Sequence, residues 1–479
     1  MTRLAAEIGQ GLAPAREARA IRRGERIHVL GAAGAGASAA VLLAHDAGAQ
    51  VSGCDPGGPS PYTDALTHAG IPLVWQHSAE HVVQGGDPGL RPERLAVTKA
   101  LTAINPGHPE LQAAHDLDIP TEPWQQLIAD AAATTGQRLI AVAGTHGKST
   151  TTGWLIDLLV RADRDPSAFV GALLDADLVG ETPSTARWGN GPEFVVEADE
   201  YAGNFDPYRP SVAVLLNAEW DHPDVFVDEE AVLSAFERWI RNAVPGATLV
   251  AGTNDPGVAK IVARLKDDWP GIVVEADDEP ASYQIGLPGP ANAANAMAVV
   301  ATARVLGIEE SVLRESLSAF RGVGRRLELK GEIGGVVVLD DYGHHPTAIA
   351  KTLEAVRGQY PGRPVWAVYE PLTYHRTALM LDRFADTLAT ADHVAIADIW
   401  AGRDPDTTIT SASVLAEAVT SRNGAARTAS APGTVEQTAD YLAERVQAGD
   451  VVLVMGGGRS YVIAARLVEL LRGQEAGSA

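Results

Sequence analysis

A glycine-rich segment with a lysine and several hydroxyl groups separates an apolar run from a helical pattern. It reads Gly-Thr-His-Gly-Lys-Ser-Thr-Thr at 144–151 and follows the apolar run 139–143. Glycine lets the backbone turn tightly and point its N–H groups at phosphate oxygens, while Lys148 supplies a positive charge and the Ser149 hydroxyl can ligate Mg²⁺. The segment predicts an ATP-binding phosphate loop, because a glycine turn beside a surface lysine would leave the agreement of strand, loop and helix unexplained. The candidate nucleotide contacts are Gly144, Thr145, His146, Gly147, Lys148, Ser149 and Thr150.

Acidic residues and a histidine follow the next two apolar runs. Glu197 belongs to Glu-Ala-Asp-Glu at 197–200, and His222 belongs to Asp-His-Pro-Asp at 221–224. Ligands in open α/β sheets bind just outside the carboxyl ends of the strands, which is also where the phosphate loop lies. We therefore expect a lysine, a hydroxyl group, carboxylates and a histidine along one rim.

Further candidates lie in the first and last thirds of the chain. Glycines at 31, 34 and 36 follow an apolar run, and Asp55 ends the next run about twenty residues later, as in a nucleotide-binding crossover. Such a turn can seat a pyrophosphate on a helix N-terminus, although packing alone also requires small residues there. In the last third, the segments 340–347 and 369–377 each follow an apolar run and carry histidines, carboxylates and an arginine.

The length and the order of the predicted elements define the architecture. A chain of 479 residues exceeds one hydrophobic core and favours about three domains. Strand-like runs alternate with longer helical stretches, which predicts an α/β fold with parallel sheets. We place the domains at 25–136, 137–323 and 324–479, and expect residues 1–24 to be a frayed helical extension with no role.

Composition narrows the class of protein. The formal net charge of -23 argues against nonspecific binding to nucleic acid or to anionic membranes. No apolar stretch approaches the length of a membrane span, so we expect no membrane insertion. Cys54 is the single cysteine, and from this we expect neither an internal disulfide framework nor any thiolate zinc site, both of which it excludes. We expect a soluble protein of the reducing cytoplasm.

Taken together, the segments resemble the Mur ligases, and within them the branch that joins L-alanine to UDP-N-acetylmuramate. The resemblance implies three domains: a Rossmann-like domain for the UDP-sugar, a central P-loop domain for ATP, and a Rossmann-like C-terminal domain for the amino acid. It implies ATP-dependent amide bond formation through an acyl phosphate in peptidoglycan precursor synthesis, with ATP, UDP-N-acetylmuramate and L-alanine as small-molecule partners and a monomer or homodimer as the assembly. The segments that carry it are 144–151, 197–200, 217–224, Asn292 with Asn295, 324–328, 340–347 and Arg376 with Thr377.

The resemblance also implies roles for individual residues. Ser149 and Glu197 would hold one Mg²⁺, Glu197 and His222 would hold a second, and Lys148 would stabilise the γ-phosphate. Arg376 would take the carboxylate of the amino acid in bidentate fashion, with His344 near the attacking amine. The implied catalytic residues are Lys148, Glu197, His222, His344 and Arg376. Asn292 and Asn295 would face the adenine, Asp341 would contact the ribose, and Arg326 would contact the phosphates. The implied substrate-binding residues are Gly31, Gly34, Gly36, Asp55, Tyr342, His344 and Arg376.

Departures from the family pattern leave alternatives open. Ala291 stands where the family usually has histidine, and Leu372 ends a segment that usually reads Phe-Gln-Pro-His. Thr347 followed by Ala348 leans toward the related ligase that recycles a murein tripeptide onto the same sugar nucleotide. A noncatalytic nucleotide-binding relative is a second alternative, and a nicotinamide-dependent dehydrogenase built on the first glycine turn is a third.

Overall fold

A computed structural model describes residues 5–402, 404, 406–423 and 428–478, and within these residues the strands form three sheets. Each sheet falls inside one of the three predicted segments, in agreement with the expected α/β architecture. Contacts divide the chain into two compact units. The first unit comprises Met1–Asp221, Val225–Gly286 and Ala294–Val323, and the second comprises His222–Asp224, Leu287–Ala293 and Gly324–Ala479.

The first sheet is fully parallel, with the strand order β3-β2-β1-β4-β5. Its apolar strands are buried on both faces, as a parallel sheet covered by helices requires. The strands are β1 Arg26–Leu30, β2 Gln50–Cys54, β3 Leu73–Val74, β4 Arg94–Val97 and β5 Thr121–Pro123. The helices are α1 Ala5–Ile8, α2 Ala35–Asp46, α3 Asp64–His68, α4 Glu80–Val83, α5 Lys99–Ile104, α6 Pro109–Asp116 and α7 Gln125–Thr135.

The N-terminal segment is docked on this sheet, so the expectation of a frayed extension is wrong. The side chain of Ile21 is buried in the core of the first unit. The Arg16 guanidinium pairs with Asp130 at 2.7 Å and with Glu122 at 3.0 Å. The same two carboxylates also lie 2.5 Å from the buried guanidinium of Arg94. Arg16 is held in place because it helps to neutralise these two acidic groups inside the fold.

The second sheet has the order β12-β11-β10-β6-β9-β7-β8, and all its pairs are parallel except β7 with β8. Strand β6 lies between β10 and β9, so the carboxyl ends of these three strands share one edge. The strands are β6 Arg138–Ala143, β7 Ser167–Leu174, β8 Ser184–Arg187, β9 Glu193–Glu197, β10 Val212–Leu215, β11 Thr248–Ala251 and β12 Ile272–Glu275. The helices are α8 Lys148–Arg161, α9 Ala176–Val179, α10 Glu229–Arg241, α11 Pro256–Leu265, α12 Pro290–Leu306 and α13 Glu310–Ala319.

The third sheet forms the core of the second unit, with the order β13-β14-β18-β15-β16-β17 and an antiparallel pair at β13 and β14. Over the described ranges, none of the helices is both long enough and apolar enough to cross a bilayer. The strands are β13 Glu328–Ile333, β14 Val336–Asp341, β15 Val365–Glu370, β16 His393–Ala397, β17 Ala429–Gly433 and β18 Val451–Gly456. The helices are α14 Pro346–Gln359, α15 Tyr374–Leu379, α16 Leu381–Leu388, α17 Ala412–Asn423, α18 Val435–Ala443 and α19 Ser460–Ser478.

Candidate active site

The phosphate loop connects β6 to α8 and needs both of its glycines. Gly144 and Gly147 have φ values of +139° and +84°, which residues other than glycine rarely adopt. A Cβ at Gly147 would lie 2.3 Å from the Oδ1 atom of Asn295, and one at Gly144 would lie 3.1 Å from the backbone nitrogen of Asn217. The backbone N–H groups at the start of α8 therefore remain accessible in a tight turn, as phosphate binding requires.

Asn217 braces the loop, although the sequence did not single it out as a site residue. Its Oδ1 atom accepts the backbone N–H of His146 at 2.8 Å, and its Nδ2 atom donates to the carbonyl of the same residue at 2.9 Å. The hydroxyl of Thr145 also donates to the carbonyl of Glu219 at 2.9 Å. The position of Asn217 just after β10, beside β6, was the signal that could have identified it.

Lys148 begins α8, and its ammonium group is held by acidic and carbonyl oxygens. Its Nζ atom lies 2.6 Å from the carbonyl oxygen of Gly144 and 3.0 Å from a carboxylate oxygen of Glu200. Burial alone would lower the pKa of Lys148, but the attraction of Glu200, Asp199 and Glu197 outweighs it, so this pKa is raised. Burial also raises the pKa of Glu200 to about 7. Glu200 is thus a second partner of the loop that sequence reasoning left out of the candidate set.

Ser149 and Glu197 are hydrogen-bonded to each other, and their binding of Mg²⁺ stays a prediction. The Ser149 hydroxyl donates to the Oε1 atom of Glu197 at 3.0 Å, and the Oε2 atom accepts the backbone N–H of Gly171 at 2.7 Å. Ser149 is buried, whereas Glu197 at the end of β9 is half-buried. A hydroxyl and a carboxylate at this separation form an oxygen donor set of the kind that Mg²⁺ prefers.

His222 and Arg376 meet in the second unit. The Arg376 guanidinium is 3% exposed and donates to the Nδ1 atom of His222 at 3.1 Å. The Nδ1 lone pair of His222 is then in use, so a metal could bind through Nδ1 only if this contact were broken. His222 has a φ of +53°, and Thr373, which precedes α15, has a φ of +63°. Left-handed backbone at a β-branched residue is rare and is found mostly at functional sites.

The Gly-Arg-Arg segment separates two arginines by function. Arg325 is buried, 3.2 Å from Asp340, and donates to the carbonyl of Gly456 at 2.9 Å. Arg326 is half-buried, with its guanidinium 5.0 Å from the centre of the Tyr342 ring. Arg325 therefore stabilises the fold, while Arg326 is the arginine with exposed surface for a ligand.

Asp341 holds the loop that carries these arginines. One oxygen accepts the backbone N–H of Leu327 at 3.0 Å, and the other accepts that of Gly343 at 2.7 Å. Each carboxylate oxygen has a second lone pair, so contact with a ribose stays a prediction.

The two histidines after β14 differ in environment. His345 is 1% exposed and caps α14, where its Nδ1 atom lies 3.3 Å from the backbone nitrogen of Thr347. His344 is half-buried, donates through Nδ1 to the carbonyl of Tyr342 at 3.0 Å, and packs edge-on against that ring. His345 thus has a structural role as a helix cap, and His344 remains the candidate next to the amino acid.

Glu370 lies beside the three consecutive glycines at 456–458. It is 2% exposed at the end of β15, and burial raises its pKa to about 7 despite hydrogen bonds from the backbone N–H groups of Arg459 and Ser460. A Cβ at Gly458 would lie 2.9 Å from a Glu370 carboxylate oxygen and 2.7 Å from Trp400. Close packing explains the glycine at 458 without a phosphate.

The two adenine candidates lie about one turn apart on α12. Asn295 is buried against the phosphate loop at Gly147. The Nδ2 atom of Asn292 donates to the carbonyl of Pro288 at 2.8 Å.

The first glycine turn is fixed by packing and by Asp55. A Cβ at Gly31 would lie 2.4 Å from Thr98, and one at Gly36 would lie 2.2 Å from Trp124. Gly34 is the N-cap of α2. The Asp55 carboxylate accepts the N–H of Ala33 at 3.1 Å, so it orders the turn that leads into α2.

Comparisons with known proteins identify the family. Residues 26–135 match the family described as "Mur ligase family, catalytic domain", and residues 325–458 match "Mur ligase, glutamate ligase domain". The UDP-N-acetylmuramate--L-alanine ligase of Kineococcus radiotolerans is 36% identical to this chain. The alignment is 475 residues long with its gaps and covers 93% of this chain and 96% of that protein. The chain belongs to the Mur ligase family. The resemblance predicted from the sequence is confirmed.

Solved structures confirm the three-domain Mur ligase fold. The UDP-N-acetylmuramate-alanine ligase of Thermotoga maritima superposes with a TM-score of 0.74 at 23% identity, over 94% of this chain and 99% of that chain. A murein peptide ligase of Psychrobacter arcticus superposes with a TM-score of 0.71 at 25% identity, over 94% and 99%. Both branches considered from the sequence therefore share this Mur ligase's fold, and fold alone does not separate them.

Proposed function

We propose that this Mur ligase joins L-alanine to the carboxylate of UDP-N-acetylmuramate at the expense of ATP, in peptidoglycan precursor synthesis. The observation that carries the proposal is the 36% identity to a ligase of that name along nearly the whole chain. Further curated relatives at 31% to 36% identity from other bacteria bear the same name. This favours L-alanine over a tripeptide as the acceptor.

The central domain supplies the groups that phosphoryl transfer needs. A carboxylate is a poor acylating agent because oxide is a poor leaving group, and transfer of the ATP γ-phosphoryl group to it gives an acyl phosphate from which an amine displaces phosphate. The backbone N–H groups at the start of α8 bind phosphate oxygens, and Lys148 leaves Glu200 to neutralise the transferred group. The remaining loop residues Thr145, His146 and Thr150 contact the nucleotide.

Mg²⁺ fits the oxygen donors present in the first unit. Ser149 and Glu197, 3.0 Å apart, would hold it, and Glu197 with His222 would hold a second ion. When bound, Mg²⁺ neutralises phosphate charge and orients the triphosphate. One Glu197 oxygen would be available to the ion, because the other accepts the backbone N–H of Gly171.

The outer domains supply the two organic substrates. We assign 25–136 to the UDP-sugar, with Gly31, Gly34, Gly36 and Asp55 at its diphosphate; 137–323 to ATP, with Asn292 and Asn295 at the adenine; and 324–479 to L-alanine. In the last domain Arg376 binds the carboxylate of alanine, and Tyr342 and His344 flank its amine. Asp341 contacts the ribose and Arg326 the phosphates. We expect a monomer or homodimer in the cytoplasm.

The test is phosphate release from ATP with UDP-N-acetylmuramate and different acceptors. Parallel reactions contain L-alanine, the tripeptide L-alanyl-γ-D-glutamyl-meso-diaminopimelate, or neither. We expect turnover with L-alanine and a UDP-sugar product whose mass is larger by one alanyl residue. Turnover with the tripeptide alone would assign the recycling reaction instead, and binding of both nucleotides without turnover would indicate a noncatalytic relative.

A further inference from the structure

A cluster of potential metal ligands lies on one face of the first sheet, next to the glycine turn: the backbone N–H of Gly31 donates to the carbonyl of Cys54 at 2.9 Å. Its members are His28 on β1, Cys54 at the end of β2, His81 on α4 and Glu110 on α6. One ligand atom from each of the four lies within 4.8 Å of all the others. The side chains of His28 and Glu110 are 4% and 0% exposed, so the cluster is enclosed by protein.

The fold brings these residues together by register. Strands β1 and β2 pair in parallel with His28 beside Ser52 and Leu30 beside Cys54, so His28 and Cys54 point to the same face. Helices α4 and α6 pack on that face through an apolar group that contains Leu30, Cys54, Val82, Leu95, Val97, Leu111 and Ala114.

The separations have the lengths expected in a coordination shell, and the two between a histidine nitrogen and a Glu110 oxygen are longer than charged hydrogen bonds. The Nε2 atom of His28 lies 3.4 Å from both the Cys54 sulfur and a Glu110 oxygen, and the sulfur lies 3.4 Å from that oxygen. The Nδ1 atom of His81 lies 3.2 Å from the other Glu110 oxygen. Charge-assisted N–H···O bonds are normally about 2.7–2.9 Å long. A tetrahedron with zinc bonds of about 2.0–2.3 Å has edges of about 3.3–3.6 Å.

The surroundings orient the ligands. The Nδ1 atom of His28 lies 2.8 Å from the Ser52 hydroxyl; donation of its proton there leaves the Nε2 lone pair directed at the cluster. The backbone N–H of Ser78 donates to Glu110 at 2.8 Å. His77 lies next to the cluster, with its Nδ1 atom 3.2 Å from the Cys54 sulfur. Oriented ligands with hydrogen-bonded partners are the usual construction of a structural zinc site.

We propose that His28, Cys54, His81 and Glu110 form a tetrahedral zinc site that links the first sheet to α4 and α6. Zinc is favoured because the set combines one thiolate, two imidazoles and one carboxylate around a closed position. The single cysteine led the sequence argument away from a thiolate zinc site, and the fold corrects this by adding three ligands distant in sequence. Binding releases the thiol proton to solvent. This proposal does not depend on the catalytic function.

The test uses the full-length protein without a histidine tag, dialysed in excess Mg²⁺ to occupy oxygen sites. Elemental analysis should find about one zinc per chain in the wild type. Cys54→Ser and His81→Gln should retain at most about a fifth of that amount. His115→Ala is the matched control, because His115 lies on the same helix as Glu110 with an 85% exposed side chain; it should retain zinc like the wild type.

A cobalt titration decides the case even if a variant fails to fold. Co²⁺ bound to a thiolate gives a charge-transfer absorption in the near ultraviolet, and Cys54 is the only thiol in the chain. We expect this band in metal-stripped wild type and its loss on addition of zinc. Equal zinc contents in the wild type and Cys54→Ser, or no thiolate band with cobalt, would show that the cluster is hydrogen-bonded without a metal and would overturn the proposal.

Discussion

Replacement of Lys148 by alanine removes the one ammonium group that the described structure places at the phosphate loop. The lysine Nζ atom lies 3.0 Å from Glu200 and 2.6 Å from the carbonyl of Gly144. Loss of a preorganised group that stabilises charge in a transition state costs about 10²–10³ in rate. We expect kcat for L-alanine ligation to fall at least by that factor, while the affinity for UDP-N-acetylmuramate is unchanged.

The same substitution leaves a buried carboxylate without its cation. Glu200 is 2% exposed, and its pKa is already raised to about 7 by burial. Without the attraction of Lys148 this pKa rises further, so folding takes up a proton and stability falls as pH rises through the folded pKa. Breaking a buried pair costs about 3–5 kcal/mol when the remaining group stays charged. Lys148→Ala should therefore melt lower than wild type at pH 8 and approach it at pH 5.5.

A double variant separates catalysis from stability. Glu200→Gln in the Lys148→Ala background removes the buried negative charge that Lys148 attracts in the wild type, so it should restore the melting temperature at pH 8 without restoring turnover. Lys260→Ala is the control, because Lys260 is 54% exposed and pairs with Glu229 at the surface. Phosphate release measures turnover, and calorimetry measures UDP-sugar binding. Turnover of Lys148→Ala within tenfold of wild type would refute the phosphate role.

Three further predictions concern single side chains. Glu197→Gln should raise the Mg²⁺ concentration needed for half-maximal turnover at least about tenfold, since it removes a charged ligand; an unchanged Mg²⁺ dependence would move the metal elsewhere. Arg376→Lys should raise the KM for L-alanine about 30-fold, which corresponds to about 2 kcal/mol, because a lysine cannot form the bidentate contact; an unchanged KM would show that Arg376 does not bind the carboxylate. Glu370→Gln should stabilise the protein at high pH: the folded pKa is raised from 4.5 to about 7, so the wild type loses up to about 3 kcal/mol between these values. Unfolding midpoints that differ equally at pH 4.5 and pH 8 would contradict this.

The positions of the side chains at the phosphate loop were predictable because the sequence information that determines them is local. Lys148 and Ser149 belong to one short motif, and Glu197 ends the strand next to that motif's strand. Residues that follow neighbouring parallel strands lie at the same edge of the sheet, and this does not depend on the rest of the chain. The contact between Glu200 and Lys148 was not predicted, because three acidic residues lie at 197–200 and the sequence does not show which of them faces the lysine.

Contacts between distant segments were not predictable in the same way. The docking of Arg16 on Glu122 and Asp130 depends on buried carboxylates more than one hundred residues away. The cluster around Cys54 collects side chains from two strands and two helices, and no spacing in the sequence marks it as a ligand set. Such sites arise from tertiary packing, which a pattern of local periods does not encode.

The charges around the phosphate loop support the proposed Mg²⁺ site. Glu197, Asp199 and Glu200 surround a single lysine, so the loop is acidic before any nucleotide arrives. A triphosphate would bring further negative charge to this place and would compete with Glu200 for Lys148. The backbone N–H groups of the helix terminus carry only about half an elementary charge, which cannot balance both sets. This imbalance supports the proposal that a cation binds together with ATP and is held by the Ser149 and Glu197 oxygens.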